Sequence, residues 1–366
     1  MIKKDFFVEA QNLAEARGID VEDVYEIFKK ALENSYKKMY NSTSCRIEIK
    51  PEKFSILVYS VRKVVSEYTD YNSLTDEEKE AFSNDVDEIL LEDAKKIKEK
   101  AKVGDIIEYQ VNLKDFGRTA VLASKSITTQ GVRTKQRENT YDYFKKLENE
   151  MVTATVTNIT EKAIILDLGN SGYATMPKSE VGPTEEMEIG KRFTVYIKSV
   201  EQTNKDPKIL VTRSDKQLVI RLMENHIPEI ADGTIEIKGI ARDPGDRSKV
   251  AIYSNKESVD AIGSCVGEGG QRIKDVVNAL GGEKIDLYKW SEDPVELITN
   301  SLQPASVTRV LSVDPKTKSS VVVVPDEHLS LAIGKSGQNV RLAVQSCGWK
   351  IDIMPVSEAY KKGLLI

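Results

Sequence analysis

Apolar positions recur at helical spacing through residues 3–40, and Gly18 divides this stretch into two predicted helices. Asp20 follows the glycine and is a suitable N-cap for the second helix. Two runs come next, at 46–49 and 54–65, the second rich in β-branched residues, and both predict strands. The N-terminal part of the chain is therefore predicted to be an α/β domain.

An acidic stretch follows at 75–99, where Thr75 precedes Glu78 by three positions, as in a helix capping box. We interpret this stretch as a helix with a solvated acidic face. The alternative is an acidic segment that contacts a partner.

Residues 116–150 contain few turn signals and many charges, so they predict a long, exposed helical connector. Within it Arg133, Lys135 and Arg137 alternate with polar residues. The favoured interpretation is a solvated helix face, and contact with nucleic acid is the alternative.

Five short alternating or β-rich runs, separated by Gly, Asn and Pro turns, occupy the next sixty or so residues. They are 152–157, 163–168, 172–176, 193–200 and 209–212. This pattern predicts a small closed five-stranded barrel of the OB-fold type, which binds oligonucleotides on one face. Tyr173, Lys178 and Arg213 are its candidate stacking and phosphate-contacting residues, although Tyr173 is equally well explained as core.

The rest of the chain contains one pattern twice. An apolar helical turn, a Gly-x-x-Gly loop and a second helix occur at 262–273 and again at 331–340. Each copy is preceded by two β-rich runs with an Asp-Pro turn and is followed by a short apolar strand. A helix, two strands, two helices around a glycine loop and a last strand form the α/β unit of a KH domain. We call the loops 267–270 and 334–337 the first and second clamp.

A Gly-x-x-Gly turn at a helix start lets a sugar-phosphate chain approach the backbone, and the helix N-terminus favours negative charge. Lys335 adds a cation to the second clamp, whereas the first has Glu268 and is expected to attract phosphate less, with Arg272 and Lys274 as compensation. The candidate RNA-binding residues of the two clamps are Gly267, Glu268, Gly269, Gly270, Gln271, Arg272, Lys274, Gly334, Lys335, Ser336, Gly337, Gln338, Asn339 and Arg341.

Composition narrows the class of protein. The 366 residues are 40% hydrophobic and 30% charged, without a signal peptide or a long apolar run, so we expect a multidomain cytoplasmic protein with no membrane contact. The net charge of −5 permits RNA binding only through local basic patches. Cys45, Cys265 and Cys347 are far apart in sequence, so we expect free thiols and neither a disulfide framework nor a zinc site.

Catalytic and cofactor motifs are missing from the sequence. Gly334-Lys335-Ser336 resembles the end of a nucleotide-binding P-loop, but that motif requires glycine at position 329, which is Leu329. The two histidines, His226 and His328, lie in unrelated segments, and no metal-ligand cluster is apparent. We therefore expect no enzyme activity, no catalytic residue, no metal and no cofactor.

The order of these modules resembles the bacterial NusA family of transcription elongation factors. The resemblance covers nearly the whole chain and is sharpest at 116–118, 211–214, 227–230, 241–245 and 332–343. It implies an N-terminal domain at 1–125, a helical connector at 126–150, an S1-type OB barrel at 151–214, and two tandem type II KH domains at 215–290 and 291–366.

The resemblance also implies a function. Members of the family bind the RNA polymerase core through the N-terminal domain and nascent single-stranded RNA through the barrel and KH domains, Arg213 lying in an RNA-contacting segment. They modulate pausing, intrinsic termination and antitermination, here expected of a monomer with other antitermination factors as further partners. Glu268 departs from the basic residue often found there, and the acidic C-terminal repeats of some members are not expected.

Two alternatives from other classes are open. The first is a polymerase-independent single-stranded RNA-binding protein that acts in translation or RNA stability through the same modules. The second, an RNA-degrading enzyme with these modules as accessories, fits poorly because the first 150 or so residues lack acidic-cluster motifs.

Overall fold

The structure is a computed structural model that describes residues 4–40, 42, 44–77, 86–112 and 117–364, the last range with backbone alone for 117–127. The chain divides into two compact units, Met1–Asp142 and Tyr143–Ile366. None of the helices in the described part of the chain is both long and apolar enough to cross a lipid bilayer.

The first unit confirms the predicted α/β architecture. Its core forms where aromatic residues of the two N-terminal helices, among them Phe7, Phe28 and Tyr36, pack on the strand residues Ile47 and Val58. Strands β1 and β4 flank β2 in antiparallel register, and β3 extends the sheet in parallel with the end of β2. The elements are α1 (Lys4–Arg17), α2 (Val21–Tyr40), β1 (Cys45–Lys50), β2 (Ser55–Val65), β3 (Glu88–Leu90), α3 (Leu91–Ile97) and β4 (Ile106–Val111).

The prediction of one continuous helix across 75–99 is wrong, because a strand interrupts the stretch at Glu88–Leu90. There the chain forms β3, in which Ile89 pairs with Val64, followed by the short α3. Ala94 of α3 is buried with Val64 and Ile107, so tertiary pairing with β2 overrides the local preference for helix. The proposed capping residue Glu78 lies outside the described residues.

The predicted connector is a helix, α4 (Gly117–Lys146), and Phe116 lies outside the described residues. Of its three basic positions, Arg133 is exposed and Lys135 pairs with Asp23 at 3.2 Å. The helix therefore exposes a basic side chain to solvent and forms an ion pair with α2, which agrees with the favoured interpretation of a solvated helix face.

The second unit begins with the barrel, which is closed in the strand order β5-β6-β7-β9-β8. Alternation of buried and exposed residues, as in β7, places one face of each strand inside. The strands are β5 (Met151–Ile159), β6 (Ala163–Gly169), β7 (Gly172–Pro177), β8 (Arg192–Glu201) and β9 (Lys208–Thr212).

Two KH units follow, and in each the last strand is parallel to the middle strand, the arrangement that defines type II. The first contains α5 (Lys216–His226), α6 (Pro228–Ala231), β10 (Ile235–Asp243), β11 (Arg247–Ser254), α7 (Ala261–Val266), α8 (Gln271–Ala279) and β12 (Lys284–Lys289). The second contains α9 (Pro294–Ser301), β13 (Arg309–Asp314), β14 (Ser319–Val324), α10 (Leu329–Ile333), α11 (Gln338–Cys347), β15 (Lys350–Pro355) and α12 (Val356–Lys361).

The KH units share a core. Ala251 and Tyr288 of the first are buried in the hydrophobic cluster of the second. The Tyr288 hydroxyl donates to Ser346 Oγ at 2.9 Å, and a Cβ on Gly239 would lie 2.0 Å from the Ser346 carbonyl oxygen. Because backbones approach this closely, the KH units form one packed body.

Candidate nucleic-acid interface

The second clamp has a backbone that few side chains tolerate. Gly334 has φ 77° and ψ 171°, and Ser336 and Gly337 follow in the left-handed region with φ 52° and 75°. A Cβ on Gly334 would lie 2.6 Å from the Asn339 nitrogen, so glycine is required for the loop to close on α11. Ser336 shows that the position before the last glycine accepts a short polar side chain.

The first clamp repeats this geometry. Gly267 has φ 73° and ψ 176°, while Gly269 and Gly270 have φ 60° and 75°. In both clamps the last glycine donates its N–H to the first, as Gly270 does to the Gly267 carbonyl at 3.1 Å. The two loops therefore present the same backbone to a ligand, as the repeat in the sequence predicts.

Each clamp has backbone donors available at a helix start. In the second clamp the N–H groups of Lys335 and Ser336 have no hydrogen-bond acceptor within the described part of the chain. They precede the N-terminus of α11, whose dipole favours an anion. Leu331 and Ile333 lie just before the loop with 44% and 38% of their surface exposed, so an apolar surface adjoins the donors. This combination suits a phosphate flanked by bases.

Strand β12 adds main-chain groups beside the first clamp. Among the strands that the structure describes it pairs with β11 alone, and the Lys284 N–H points toward that side, donating to the Asp246 carbonyl at 2.9 Å. Because backbone direction alternates along a strand, the N–H and C=O groups of Ile285 and Leu287 face the open edge. They form a donor–acceptor row of the kind that pairs with the edge of a nucleobase.

Side-chain charge differs between the clamps. Lys335 is exposed, and no ion pair involves it among the described residues. In the first clamp Glu268 is exposed, while Arg272 donates to Glu229 at 2.8 Å and Lys274 to the Gly269 carbonyl at 2.9 Å. The cations expected to compensate for Glu268 are thus engaged within the protein, so the second clamp is the more electropositive of the two.

Gln271 also bonds within its own helix, donating to Asp275 at 2.7 Å. Its contact with RNA, like that of the clamp residues, stays a prediction.

The turn between β10 and β11 reaches the helix of the second clamp. Gln338 Nε2 donates to the carboxylates of Asp243 and Asp246 at 3.0 and 2.7 Å, and Arg341 Nη2 lies 2.5 Å from Asp243. Two predicted RNA donors are thus held by carboxylates of the first KH unit. In the sequence this turn is only a hairpin signal, since its partners lie more than ninety residues away.

The structure gives Asn339, also predicted to contact RNA, a different explanation, because its side chain is buried. Only 7% of its surface is exposed, and its side-chain nitrogen donates to the carbonyls of Leu302 and Ala332, both at 3.1 Å. It satisfies the carbonyl groups of Leu331 and Ala332 near the end of α10, which the clamp leaves without helical partners, and that of Leu302 just after α9.

Arg213, another predicted RNA contact, is also buried in this structure. Its side chain is 2% exposed and forms an ion pair with Glu185, to which Nε donates at 2.7–2.8 Å. The remaining nitrogens donate to the carbonyls of Thr194, on β8, and Ala279, at the end of α8. Arg213 therefore fastens the barrel to the first KH unit and presents no charge to solvent.

The barrel retains two exposed candidates. Tyr173 on β7 has 59% of its surface exposed, which excludes the core interpretation, and Lys178 is exposed just after the strand. They are five residue steps apart along extended chain, roughly 17 Å, so they do not form one contact point. Base stacking on Tyr173 stays a prediction.

The described residues contain no group of His, Cys, Asp and Glu side chains that could hold a metal ion. His328 accepts a hydrogen bond from the Ser306 N–H at 3.0 Å and has a structural role. Burial raises the pKa of the Cys265 thiol to about 12, so this cysteine is a poor nucleophile.

Family models match four consecutive parts of the chain. They are described as the NusA N-terminal domain (residues 5–138), the S1 RNA binding domain (145–211), the NusA-like first KH domain (213–290) and the NusA-like second KH domain (294–361).

Curated relatives match over nearly the whole chain. The chain is similar to proteins named transcription termination/antitermination protein NusA from Halalkalibacterium halodurans and Bacillus subtilis, with 40% identity to each. These matches cover 100% and 96% of the chain and 91% of each relative. The protein of the same name from Thermus thermophilus is 37% identical, over 97% of the chain and 92% of the relative.

Proposed function

The chain belongs to the NusA family of transcription termination/antitermination proteins, and from this premise we propose that it is an elongation factor that binds RNA polymerase and nascent RNA. In this role it modulates pausing, intrinsic termination and antitermination. The observation that carries the RNA-binding part is the matched backbone of the two clamps, each with left-handed residues before a helix start.

The clamps suit a weak and loosely selective contact. The second clamp offers Lys335, which forms no ion pair with any residue that the structure describes, and the first carries Glu268, in a protein whose net charge is −5. Free in solution, such loops bind RNA modestly, because affinity for phosphate depends on the number of cations. A protein held on the polymerase needs no more, since tethering raises the effective concentration of nascent RNA.

We include in the proposal the domain division predicted from the sequence. Residues 1–125 bind the polymerase core, and the barrel and the KH domains bind RNA. It also includes a monomeric, cytoplasmic protein without catalytic activity, with other antitermination factors as further partners. The names of the relatives support a role in transcription over the polymerase-independent alternative.

Replacement of Lys335 and Ser336 by Asp tests the RNA contact. Both side chains are exposed and Asp tolerates left-handed φ, so we expect a folded protein whose affinity for single-stranded RNA falls at least tenfold, about 1.4 kcal/mol. The matched control is Lys335→Gln with Ser336→Asn, which alters the same positions without adding negative charge and should lose less.

The polymerase contact is tested with the same proteins. Purified core RNA polymerase should co-elute with wild type and with the Asp variant alike, because the substitutions lie outside the proposed polymerase-binding domain. Unchanged RNA affinity in the Asp variant contradicts the role of the second clamp. Failure of wild type to co-elute contradicts the polymerase-bound factor and favours the free RNA-binding protein.

A further inference from the structure

The helix of the second clamp begins with two donor side chains that carboxylates of the other KH unit already occupy. Gln338 and Arg341 lie three positions apart at the start of α11, so they share one face of that helix. Gln338 Nε2 donates to Asp243 and Asp246 at 3.0 and 2.7 Å, and Arg341 Nη2 donates to Asp243 at 2.5 Å. A carboxylate accepts here the hydrogen bonds that a phosphate at the N-terminus of α11 would accept.

The turn that carries these carboxylates is fixed from its other side. The Gly245 N–H donates to Glu283 Oε2 at 2.9 Å, and the Gly245 carbonyl accepts from Thr184 of the barrel at 3.0 Å. Gly245 has φ 77°, and a Cβ there would lie 2.8 Å from the Thr184 hydroxyl oxygen, so this approach requires glycine. The barrel and the first KH unit thus hold the turn 243–246 in place beside α11.

The charges of the turn are not balanced. The basic residues on either side of it, Arg242 and Arg247, form ion pairs with other acids, at 2.9 and 2.8 Å. Within the described part of the chain, Arg341 is the one cation that forms an ion pair with Asp243 or Asp246. Two carboxylates thus face one guanidinium, and the net negative charge beside the second clamp opposes the approach of a phosphate.

The contact with α11 is weak enough to be exchanged. The side chains of Arg341 and Asp243 are 49% and 27% exposed, and an ion pair with this exposure contributes little stability because water screens both charges. The KH units stay packed without it, since Ala251 and Tyr288 are buried in the core of the second unit. A phosphate can therefore replace the carboxylates while the two units remain together.

The corresponding turn of the second KH unit lacks this arrangement. Asp314 has the position of Asp243 in the repeat, but its carboxylate accepts from the Lys316 N–H and the Thr317 hydroxyl of its own turn, at 2.9 and 2.7 Å. Thr317 itself stands at the position of Asp246. The hairpin of this fold therefore does not require the acidic pair, which is present in the turn that contacts a clamp helix.

We propose that Asp243 and Asp246 compete with RNA for the donors of α11. In the free protein they hold Gln338 and Arg341, and they release both to a backbone phosphate when RNA enters the second clamp. The competition lowers the affinity of the clamp for free RNA, so binding depends on the raised concentration that tethering provides. The inference rests on the proposed RNA-binding function and deepens it, because it names residues that set the strength of binding.

The test replaces both aspartates by asparagine, which keeps their size and one acceptor oxygen but removes their charge. Binding of the full chain to a labelled oligo(U) dodecamer is measured at several salt concentrations. In the variant Asp243→Asn with Asp246→Asn, Arg341 gains one phosphate contact. Affinity should rise about fivefold at about 0.1 M salt, and the slope of log K against log salt should steepen by about 0.7.

Asp314→Asn is the matched control, because it removes a carboxylate from the same position of the repeat that bonds within its own turn. Its affinity and salt dependence should stay close to those of wild type. In an Arg341→Met background the two asparagine substitutions should no longer steepen the salt dependence, because the released guanidinium is absent. Asp246→Asn alone alters an exposed side chain and should raise affinity in the same direction to a smaller extent.

Equal or weaker RNA binding by the folded asparagine variants overturns the competition. A steeper salt dependence that persists in Arg341→Met also overturns it, because the gain then does not come from Arg341. If wild type does not bind the oligonucleotide at any salt concentration, the proposed RNA-binding function itself fails, so the two failures are distinguishable.

Discussion

Arg213 allows a sharp test of the structure against the family resemblance, which places this residue in an RNA-contacting segment. In the structure Arg213 and Glu185 are 2% and 6% exposed and form one ion pair at the junction of barrel and first KH unit. Arg213 also donates to the carbonyls of Thr194 and Ala279. The side chain is therefore expected to stabilise the fold and not to bind phosphate.

Arg213→Met leaves the Glu185 carboxylate buried without its cation. Removing one partner of a buried pair costs about 3–5 kcal/mol, because the remaining charge keeps its desolvation penalty. Replacing both residues, as Arg213→Met with Glu185→Leu, removes that penalty. Recovery should be partial, since two carbonyls lose a donor and each costs about 1–3 kcal/mol when left unsatisfied.

The assay is urea unfolding of the full chain, followed by far-ultraviolet circular dichroism, together with RNA binding at several salt concentrations. We expect a lower unfolding midpoint for Arg213→Met, partial recovery in the double variant, and unchanged RNA affinity while each protein is folded. The reasoning is refuted if Arg213→Met unfolds like wild type but binds RNA more weakly, with a salt dependence reduced by about one phosphate contact.

Two further predictions concern the junction of the KH units. Gly239→Ala places a Cβ 2.0 Å from the Ser346 carbonyl oxygen, so the two KH units should separate locally. Amide hydrogen exchange in β10 and α11 should then be faster than in wild type. Protection equal to that of wild type would contradict the close packing. Lys249 of the first KH unit is buried and donates to the Gln303 carbonyl of the second. Burial lowers its folded pKa to about 8, below the 10.5 of an unperturbed lysine, so raising the pH removes its proton from the folded state first. The stability of wild type relative to Lys249→Met should therefore rise by about 1 kcal/mol between about pH 7 and about pH 9, and a constant difference in urea unfolding would contradict it.

Features with a local cause were predictable from the sequence. The barrel follows from alternation within single strands, and the clamps follow from glycines at positions that need φ above zero, such as Gly267 and Gly334. The break between the first two helices at Gly18 has the same origin. In each case the determining residues lie within a few positions of the feature.

Features with distant partners were not predictable. Asn339 lies two positions after a clamp glycine, where the sequence suggests an exposed hydrogen-bond donor. In the structure its side chain is buried and donates to the carbonyl of Leu302, 37 residues earlier. The burial of Arg213 likewise requires distant partners, namely the Glu185 carboxylate and the carbonyls of Thr194 and Ala279. A polar residue in a binding motif and a polar residue that satisfies buried groups are alike in sequence, and tertiary structure decides between them.

Strand β3 shows the same limit for secondary structure. The acidic stretch has helical composition, yet Ile89 pairs with Val64 of a strand more than twenty residues away. Short strands are defined by their partners, so local propensity does not reveal them.

The most direct test of the central claim is the lifetime of a hairpin-stabilised pause in single-round transcription, with purified RNA polymerase and the full chain. Wild type should lengthen the pause, and the variant with Asp at positions 335 and 336 should lengthen it less while still binding polymerase. A pause lifetime that wild type leaves unchanged, with RNA binding intact, would contradict the account and favour a polymerase-independent RNA-binding protein.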